Sequence, residues 1–475
     1  MNVIFKRLNT EARWAGWSSA QVFNGLLPIF FVAFSCVGAM TQAADWKAGV
    51  SRKIITPKQP MWMSGYASRS KPAEGTLHDL WAKTLVVSDA DDQKHVFVSL
   101  DLVGIGRDVS SQLCSLLMQQ HELERSQISI FTSHTHTGPV VGHNLGSMYF
   151  LDSHQQKLID DYRQFLVETV ASSVREAFDD LESAEISYGL GNASFAVNRR
   201  NNREADVPKL RNAGELKGPI DHSVPVVAVH NTEGDLKTVL FGYACHATVL
   251  SFYQWSGDWP GFAQLEIEKR YPETVAMFMA GCGADQNPLP RRTVDLAEGY
   301  GKRMAEAVGS VLESEMQSVS GSLTSSYEEI PLALDDLPAK EAVEKDTGSS
   351  NKYIAARAKN LLSKFETDGK LDQTYPYPVQ VVGMGSKARL VILGGEVVVD
   401  YSIRLRQELS DLDLWVAGYS NDVMAYIPSK RVLKEGGYEG ETSMIYYGLP
   451  TVWSEQVEEH IVSTVHSLVK KLERR

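Results

Sequence analysis

The sequence is poor in cysteine and in positive charge. It has 4 cysteines in 475 residues, far too few for a fold that is held together by disulfide bonds. It has 47 lysine and arginine residues against 59 acidic residues, a net charge of −12, and its basic residues do not form blocks. Because nucleic-acid phosphates are bound by clustered basic side chains, we expect no nucleic-acid partner.

A long apolar run is also missing after residue 43. Near the amino terminus, the basic segment FKRLNTEAR precedes the apolar segment GLLPIFFVAFSCVGAM (25–40), and small residues follow up to Ala43. This order is typical of a secretory signal peptide, and the apolar segment is short for a membrane span. We therefore expect residues 1–43 to be a signal peptide and the mature protein to be secreted or periplasmic. An uncleaved anchor and lipid attachment at Cys36 are the alternatives.

Apolar segments typical of strands alternate with segments of helical periodicity. Strands are predicted at 94–105 and 237–251 and in the segment ISIF, and helices at 110–123, 154–182 (capped by Ser153) and 294–315. Segment 275–291 is predicted to be a strand that enters a glycine-rich loop, and segment 388–409 to run from strand through turn to helix. This alternation predicts an α/β fold, with a layered mixed β-sheet core, flanking helices and a metal site at the C-terminal ends of strands. We expect residues 44–475 to form one domain, with the polar segment 330–372 as an insertion or lid. Cys245 and Cys282 either form a disulfide bond or pack as small buried side chains.

Two histidines follow the predicted strand ISIF, in the segment TSHTHTGPV (132–140). In an extended chain, residues two apart point to the same side, so His134 and His136 would face one pocket. Neutral imidazole is a common zinc ligand, and the neighbouring hydroxyls can orient the rings. The alternative for this stretch alone is a polar strand end whose histidines bond to the backbone.

Two further strand ends carry side chains of the same kind. His246 follows an apolar strand in FGYACHATVLS, and Glu396 follows two glycines in VILGGEVVVDY. A carboxylate among glycines and valines is costly to bury unless a cation or hydrogen-bond donors compensate it. Two histidines and one glutamate at strand ends fit a catalytic zinc site with an open position.

At this point the chain resembles the neutral/alkaline (non-lysosomal) ceramidase family, over its catalytic N-terminal domain. The resemblance rests on segments that occur in the order and approximate spacing of that family. These segments are SHTHTGP, NRR (198–200), CHAT, SGDWPGFAQLEIEK, GGEVVVDYSIRLRQ and YSNDVMAYIPSKRVLKEGGYEG.

The resemblance implies a bound Zn²⁺ and a role for each matching residue. The implied zinc ligands are His134, His246, Glu396 and Tyr426. Tyr426 is the match because Val423 stands where the family often has a second tyrosine. The implied catalytic residues are His136, beside the substrate oxygen, Arg199, which lines the site, Tyr426 and Gln286.

Two features depart from the family. Gln286, in GCGADQNP, stands where the family has a serine to which a catalytic role is assigned. A glutamine is no nucleophile, although its amide can donate a hydrogen bond to an oxyanion. The chain also ends at LVKKLERR, where family members continue into an immunoglobulin-like domain, so we expect a truncated ceramidase-like hydrolase whose substrate can differ.

The expected function is that of a secreted, zinc-dependent amidohydrolase. Zinc-activated water would hydrolyse the N-acyl amide of ceramide or of a related N-acyl lipid. The alternatives are a metal-dependent hydrolase of acylated sugars or small esters, and an inactive secreted binding protein of the same fold. The expected partner is a small-molecule or lipid substrate, with transient contact to a membrane surface and no protein partner.

Overall fold

The computed structural model describes residues 46–474, and the predicted signal peptide lies outside this range. The strands are β1 Trp46–Ile54, β2 Gly75–Thr76, β3 Trp81–Asp89, β4 Lys94–Leu100, β5 Ile128–Thr132, β6 Glu182–Asn192, β7 Ala196–Asn198, β8 Ser223–Asn231, β9 Leu236–Tyr243, β10 Gln254–Trp255, β11 Val275–Ala280, β12 Gln286–Pro288, β13 Gln317–Val319, β14 Leu323–Ala333, β15 Thr374–Met384, β16 Ala388–Leu393, β17 Glu396–Val397, β18 Asp413–Ala417 and β19 Tyr426–Ile427. The helices are α1 Arg107–His121, α2 Ser153–Asp179, α3 Val207–Ala213, α4 Asp258–Arg270, α5 Val294–Leu312, α6 Lys340–Asp346, α7 Lys352–Asp368, α8 Asp400–Glu408, α9 Lys430–Glu435, α10 Met444–Tyr447 and α11 Val457–Leu472. In this part of the chain, none of the helices combines the length and the apolar character that crossing a bilayer requires.

The larger sheet is mixed and strongly curved. Its strands run in the order β11-β9-β8-β6-β1-β3-β4-β5, and β13 pairs with β6. Most neighbours are antiparallel, but β4 and β5 are parallel, as are β9 and β11. Strands far apart in this order nevertheless meet. Ser99 on β4, for example, donates a hydrogen bond to the carbonyl of Phe278 on β11 over 2.6 Å. The curvature therefore brings the ends of β5 and β9 to one side of the molecule.

A second sheet, in the order β14-β15-β16-β18, packs against the larger one. Trp46, Phe97 and Met277 of the larger sheet share an apolar core with Leu390 and Trp415 of the second sheet. Helices α2, α4 and α5 contact the larger sheet, and α8 and α11 contact the smaller one. Each sheet is thus buried on both faces, which explains why strands such as β3 and β4 read as nearly continuous apolar runs.

The predicted α/β fold with a layered mixed-sheet core and flanking helices is confirmed. Several boundaries differ. The cap of α2 is Asp152, whose side chain accepts a hydrogen bond from the backbone N–H of Gln155, and not Ser153. The strand predicted at 237–251 ends at Tyr243, and the loop that follows carries His246. The polar segment begins as the end of β14 before it forms the α6–α7 helical pair.

The three cysteines in the described part of the chain are free. Cys114, Cys245 and Cys282 are all buried and unpaired. Burial raises the pKa of the Cys245 and Cys282 thiols well above the usual value. These side chains are therefore neutral packing residues, and the disulfide alternative is wrong.

Candidate metal centre

The segment after β5 turns sharply at His134. The strand ends at Thr132, and His134 has a positive φ of 58°, a left-handed conformation that few non-glycine residues adopt. The expectation of an extended chain at this position is therefore wrong. The imidazoles still meet, because the Nε2 atoms of His134 and His136 lie 3.1 Å apart.

Backbone carbonyls fix which ring nitrogen of two histidines carries the proton. Nδ1 of His134 donates to the carbonyl of Val103 over 2.5 Å, and Nδ1 of His246 donates to the carbonyl of Gly283 over 2.8 Å. Since a carbonyl oxygen only accepts, the proton of each neutral ring is on Nδ1, and Nε2 presents a lone pair. Both rings are thus held as metal ligands are commonly held in proteins.

Glu396 and Tyr426 enter the site from two short parallel strands. Strand β17 pairs with β19 so that Glu396 lies beside Tyr426. The preceding Gly395 has a positive φ of 72°, and a Cβ atom there would lie 2.7 Å from the carbonyl oxygen of Ala425. Gly395, the second glycine of the pair in the sequence, is therefore required for the close approach of these two strands.

The predicted ligands converge on one point. Oε2 of Glu396 lies 3.1 Å from Nε2 of His134 and 3.2 Å from Nε2 of His246. The hydroxyl of Tyr426 lies 3.4 Å from Nε2 of His246. Together with His136, the two histidines His134 and His246 offer ligand atoms that all lie within 4.8 Å of one another. These buried histidines can hold a metal ion.

The donor set itself calls for a cation. Oε2 of Glu396 is buried and has no hydrogen-bond partner within residues 46–474. This oxygen faces the Nε2 lone pairs of His134 and His246, so three hydrogen-bond acceptors lie close together. Such an arrangement costs free energy unless a proton or a metal ion lies between the atoms. The residues therefore fit a small divalent metal ion.

Burial and neighbouring charges set the protonation of these groups. Burial lowers the pKa of His136 well below its usual value, and burial together with the nearby Arg199 lowers that of His246 to about 4. At neutral pH His136 and His246 are thus neutral imidazoles, the form of histidine that binds metal ions.

Two tyrosines at this centre were missed by the sequence analysis. The hydroxyl of Tyr447, on α10, donates to Oε1 of Glu396 over 2.6 Å. The ring of Tyr419 packs against that of His134, with centroids 4.3 Å apart. Tyr419 lies inside the segment that resembles the ceramidases, so its position was a usable signal. Tyr447 lies beyond that segment, and nothing in its sequence context marked it.

Arg199 lies beside the centre. Its Nη2 donates to the hydroxyl of Tyr426 over 3.2 Å, and its Nε donates to Glu439 over 2.7 Å. Glu439 is a buried carboxylate that also pairs with Arg200. Sequence reasoning did not single out Glu439. Its two ion pairs fix the guanidinium that reaches the Tyr426 oxygen.

Gln286 is not brought into the cavity. Its side chain is fully buried; it donates to the carbonyl of Ala244 and accepts from the backbone N–H of Asp221. Both ends of the amide are thus engaged in joining three backbone segments. Its role toward an oxyanion stays a prediction, and the geometry supplies no support for it. The neighbouring Asn287 lines the cavity instead.

A cavity of about 660 Å³ opens beside the centre. His136, Arg199 and Tyr426 lie in its wall. The remaining lining is rich in arginine, glutamate and tyrosine, and Leu289 is its one large aliphatic residue within the described chain. A substrate in this cavity therefore contacts the histidine cluster and a strongly polar wall at the same time.

Comparisons with known proteins agree with this architecture. The sequence pattern of the neutral/alkaline non-lysosomal ceramidase N-terminal family matches residues 46–288. Neutral ceramidase 1 of Arabidopsis thaliana is 24% identical over 294 residues, which cover 60% of this chain and 37% of that protein. Neutral ceramidase of Drosophila melanogaster is 25% identical over 254 residues, covering 51% and 35%. The matches thus span just over a third of the length of these relatives.

The fold is also that of solved neutral ceramidase structures. The crystal structure of neutral ceramidase from Pseudomonas aeruginosa superimposes with a TM-score of 0.70 at 19% identity, covering 91% of this chain and 75% of the other. A structure of ceramidase complexed with C2 gives a TM-score of 0.71 at 19% identity. The family match covers just over half of the sequence, and on that ground the chain belongs to the neutral/alkaline non-lysosomal ceramidase family.

Proposed function

We propose that this protein is a zinc-dependent amidohydrolase that cleaves an N-acyl amide bond. The observation that carries the proposal is the convergence of Nε2 of His134, Nε2 of His246 and Oε2 of Glu396, with the Tyr426 hydroxyl beside them. Three protein ligands with a further position for substrate are typical of catalytic zinc sites. The family supports an amide as the bond that is cleaved.

The spacing of the ligand atoms supports zinc as the ion. Ligands bound about 2.0–2.1 Å from a tetrahedral zinc ion lie about 3.3 Å from one another. The separations among the four predicted ligand atoms that are in contact range from 3.1 to 3.4 Å. Nitrogen donors from histidine also favour zinc over magnesium or calcium, which bind oxygen ligands.

A zinc ion held there would supply Lewis acidity, lowering the pKa of a water molecule and polarising the acyl carbonyl. The protein's own groups divide the remaining work. His136 is neutral, so its imidazole can accept a proton from the attacking water and deliver it to the leaving amine nitrogen. Burial, then the charge of Glu396, raises the pKa of Tyr426 well above its usual value. The Tyr426 hydroxyl can therefore donate to the oxyanion, and Arg199 orients it.

The substrate proposed first is ceramide or a related N-acyl lipid, because the relatives are named neutral ceramidases. Action on such a lipid would require transient contact of the protein with a membrane surface. We propose a secreted or periplasmic location for the protein. The polar wall of the cavity favours a second candidate, a water-soluble acylated compound such as an acylated sugar or a small ester. A binding protein without catalysis is the remaining alternative.

Metal analysis and a substrate panel test this proposal. The purified protein should contain about one zinc per chain, and chelation should abolish amide hydrolysis until zinc is restored. The panel comprises short-chain fluorescent ceramide, an N-acetylated amino acid, an acylated sugar and a simple ester. His246→Ala should remove both zinc and activity, whereas His230→Ala, on β8 and outside the site, should change neither. Full activity in metal-free protein would overturn the proposal. Stoichiometric zinc without hydrolysis of any panel member would favour the binding protein.

A further inference from the structure

We propose that the cavity beside the metal centre binds the carboxylate of an N-acylated amino acid. This inference rests on the proposed amidohydrolase function and names a substrate class for it. The class differs from the ceramides after which the relatives are named. Three features of the cavity wall support it: its charge balance, its scarcity of aliphatic side chains and an unpartnered hydroxyl.

The wall of the cavity has one guanidinium more than it has carboxylates. Four arginines and three glutamates line it. Arg199 and Arg200 share Glu439, and Arg200 also contacts Glu435. These contacts join two of the arginines to two of the glutamates.

The other two arginines differ in their pairing. Arg291 contacts Glu204 at 2.9 Å. Arg203 is 87% exposed, and its one carboxylate neighbour within 4 Å in the described chain is Asp206 at 3.9 Å. A guanidinium at the cavity mouth is therefore available to a ligand, and its planar fork suits a carboxylate.

The charge at the base of the cavity would also be positive, like that of the Arg203 guanidinium. A divalent ion held by neutral imidazoles and by the single carboxylate of Glu396 would leave a net charge of +1 there. The base and the mouth thus both attract an anion. An acylated amino acid presents its amide and its carboxylate a few bonds apart, so both can lie within one cavity.

A long hydrocarbon chain is a poor occupant of the same space. The side chains of Arg203 and Glu204, which line the cavity, are 87% and 38% exposed, so water hydrates their charged groups. An alkyl chain packed over them would remove that water without replacing its hydrogen bonds, which is unfavourable. Among the described residues that line the cavity, Leu289 alone offers a large aliphatic side chain.

A buried hydroxyl in the wall also lacks a partner. Oγ1 of Thr248 has no hydrogen-bond partner within residues 46–474, and Thr248 is 3% exposed. Thr248 follows His246 by two residues and lines the cavity. Since buried polar groups in native proteins are nearly always hydrogen-bonded, this hydroxyl is free to bind a polar atom of the ligand.

Binding and hydrolysis of a matched pair of compounds test the inference. N-acetylalanine carries the carboxylate, and N-acetylalaninamide is its neutral counterpart. Calorimetry on the zinc-loaded wild-type protein should show at least about tenfold tighter binding of N-acetylalanine, as expected for charge-assisted hydrogen bonds. The preference should shrink when ionic strength rises from ~0.1 M to ~1 M, because the Debye length falls from about 10 Å to about 3 Å.

Variants of Arg203 locate the source of the preference. Arg203→Gln should reduce it by about two- to fivefold, the range measured for exposed ion pairs, and Arg203→Glu should reduce it further. The effect should appear in KM and not in kcat. Arg175→Gln removes the same charge from an exposed position on α2 and should leave the preference unchanged.

The outcomes separate this inference from the proposed function. Equal binding of the two compounds would overturn the inference, and so would faster hydrolysis of short-chain ceramide or N-acetylglucosamine than of N-acetylalanine. A preference that survives in Arg203→Glu would place the carboxylate on the metal and overturn the assignment to the cavity mouth. If N-acetylalanine binds preferentially but no amide is cleaved, the proposed function fails and the anion site stands. If amides are cleaved without preference, the function stands and the anion site fails.

Discussion

Replacing Glu396 with glutamine should have opposite effects on the metal-free and the zinc-loaded protein. In the metal-free protein, Oε2 of Glu396 is a buried acceptor that faces two lone pairs, on Nε2 of His134 and Nε2 of His246. The amide group of glutamine has the same shape and can donate an N–H to one of these nitrogens. The substitution therefore removes an unfavourable contact from the metal-free protein and an anionic ligand from the zinc-loaded protein.

The magnitudes follow from the burial of the group. An unsatisfied buried acceptor costs about 1–3 kcal/mol, so the metal-free variant should be more stable than the metal-free wild type by a value in that range. Zinc at 1,000 times its dissociation constant stabilises the wild-type protein by about 4 kcal/mol. That stabilisation should be lost in the variant, because a neutral amide is a much weaker zinc ligand than a carboxylate.

Denaturant unfolding with and without zinc measures both effects, and metal analysis gives the stoichiometry. Glu458→Gln is the control, since Glu458 is a buried glutamate that contacts Arg404 and the backbone N–H of Lys430, away from the centre. That variant should keep its zinc response. A loss of about 3–5 kcal/mol in metal-free Glu396→Gln would refute the reasoning, because it would show that Glu396 forms an ion pair with a protonated histidine.

Three further predictions follow from the same contacts. Arg199→Lys should keep its zinc but lower kcat by about 10²-fold, since a lysine cannot bind both Glu439 and the Tyr426 hydroxyl. Steady-state kinetics and metal analysis measure this, and an unchanged kcat would contradict it. Tyr447→Phe should weaken zinc binding by about 10–100-fold but leave activity near normal at saturating zinc. Competition with a chelating dye measures the zinc affinity, and an unchanged affinity would argue that Tyr447 does not support Glu396 as a ligand. Burial raises the pKa of Asp258 from 3.8 to about 6, so the folded protein binds this proton more tightly than the unfolded chain does. The stability relative to Asp258→Asn should therefore fall by about 2 kcal/mol as pH rises from about 4 to 7. Parallel stability curves from urea unfolding would refute that assignment.

The residue types of the metal centre could be predicted from the sequence because each one stands out against apolar surroundings. His246 and Glu396 are polar groups among small or apolar neighbours, and burying them demands compensation. His134 and His136 were expected to meet on an extended chain, but the positive φ of His134 ends the strand there and brings the two rings together by a turn. No local pattern predicts that turn.

The arrangement in space depended on contacts that sequence patterns do not encode. The hydrogen bond from Ser99 to Phe278 marks a curvature that brings distant strand ends together. Tyr447 belongs to the centre only because long-range packing places it there, whereas Glu439 lies, like Tyr419, inside a segment that resembles the ceramidases. Gln286 shows the converse case. Its position in a motif suggested chemistry, while its amide is engaged by the backbone of Ala244 and Asp221.

The most direct test of the metal centre is an anomalous-scattering measurement at the zinc absorption edge on crystals grown with zinc. The structure predicts one strong peak within about 2.0–2.3 Å of Nε2 of His134, Nε2 of His246 and a carboxylate oxygen of Glu396. A peak elsewhere on the protein, or none among these three side chains at full zinc loading, would contradict the account.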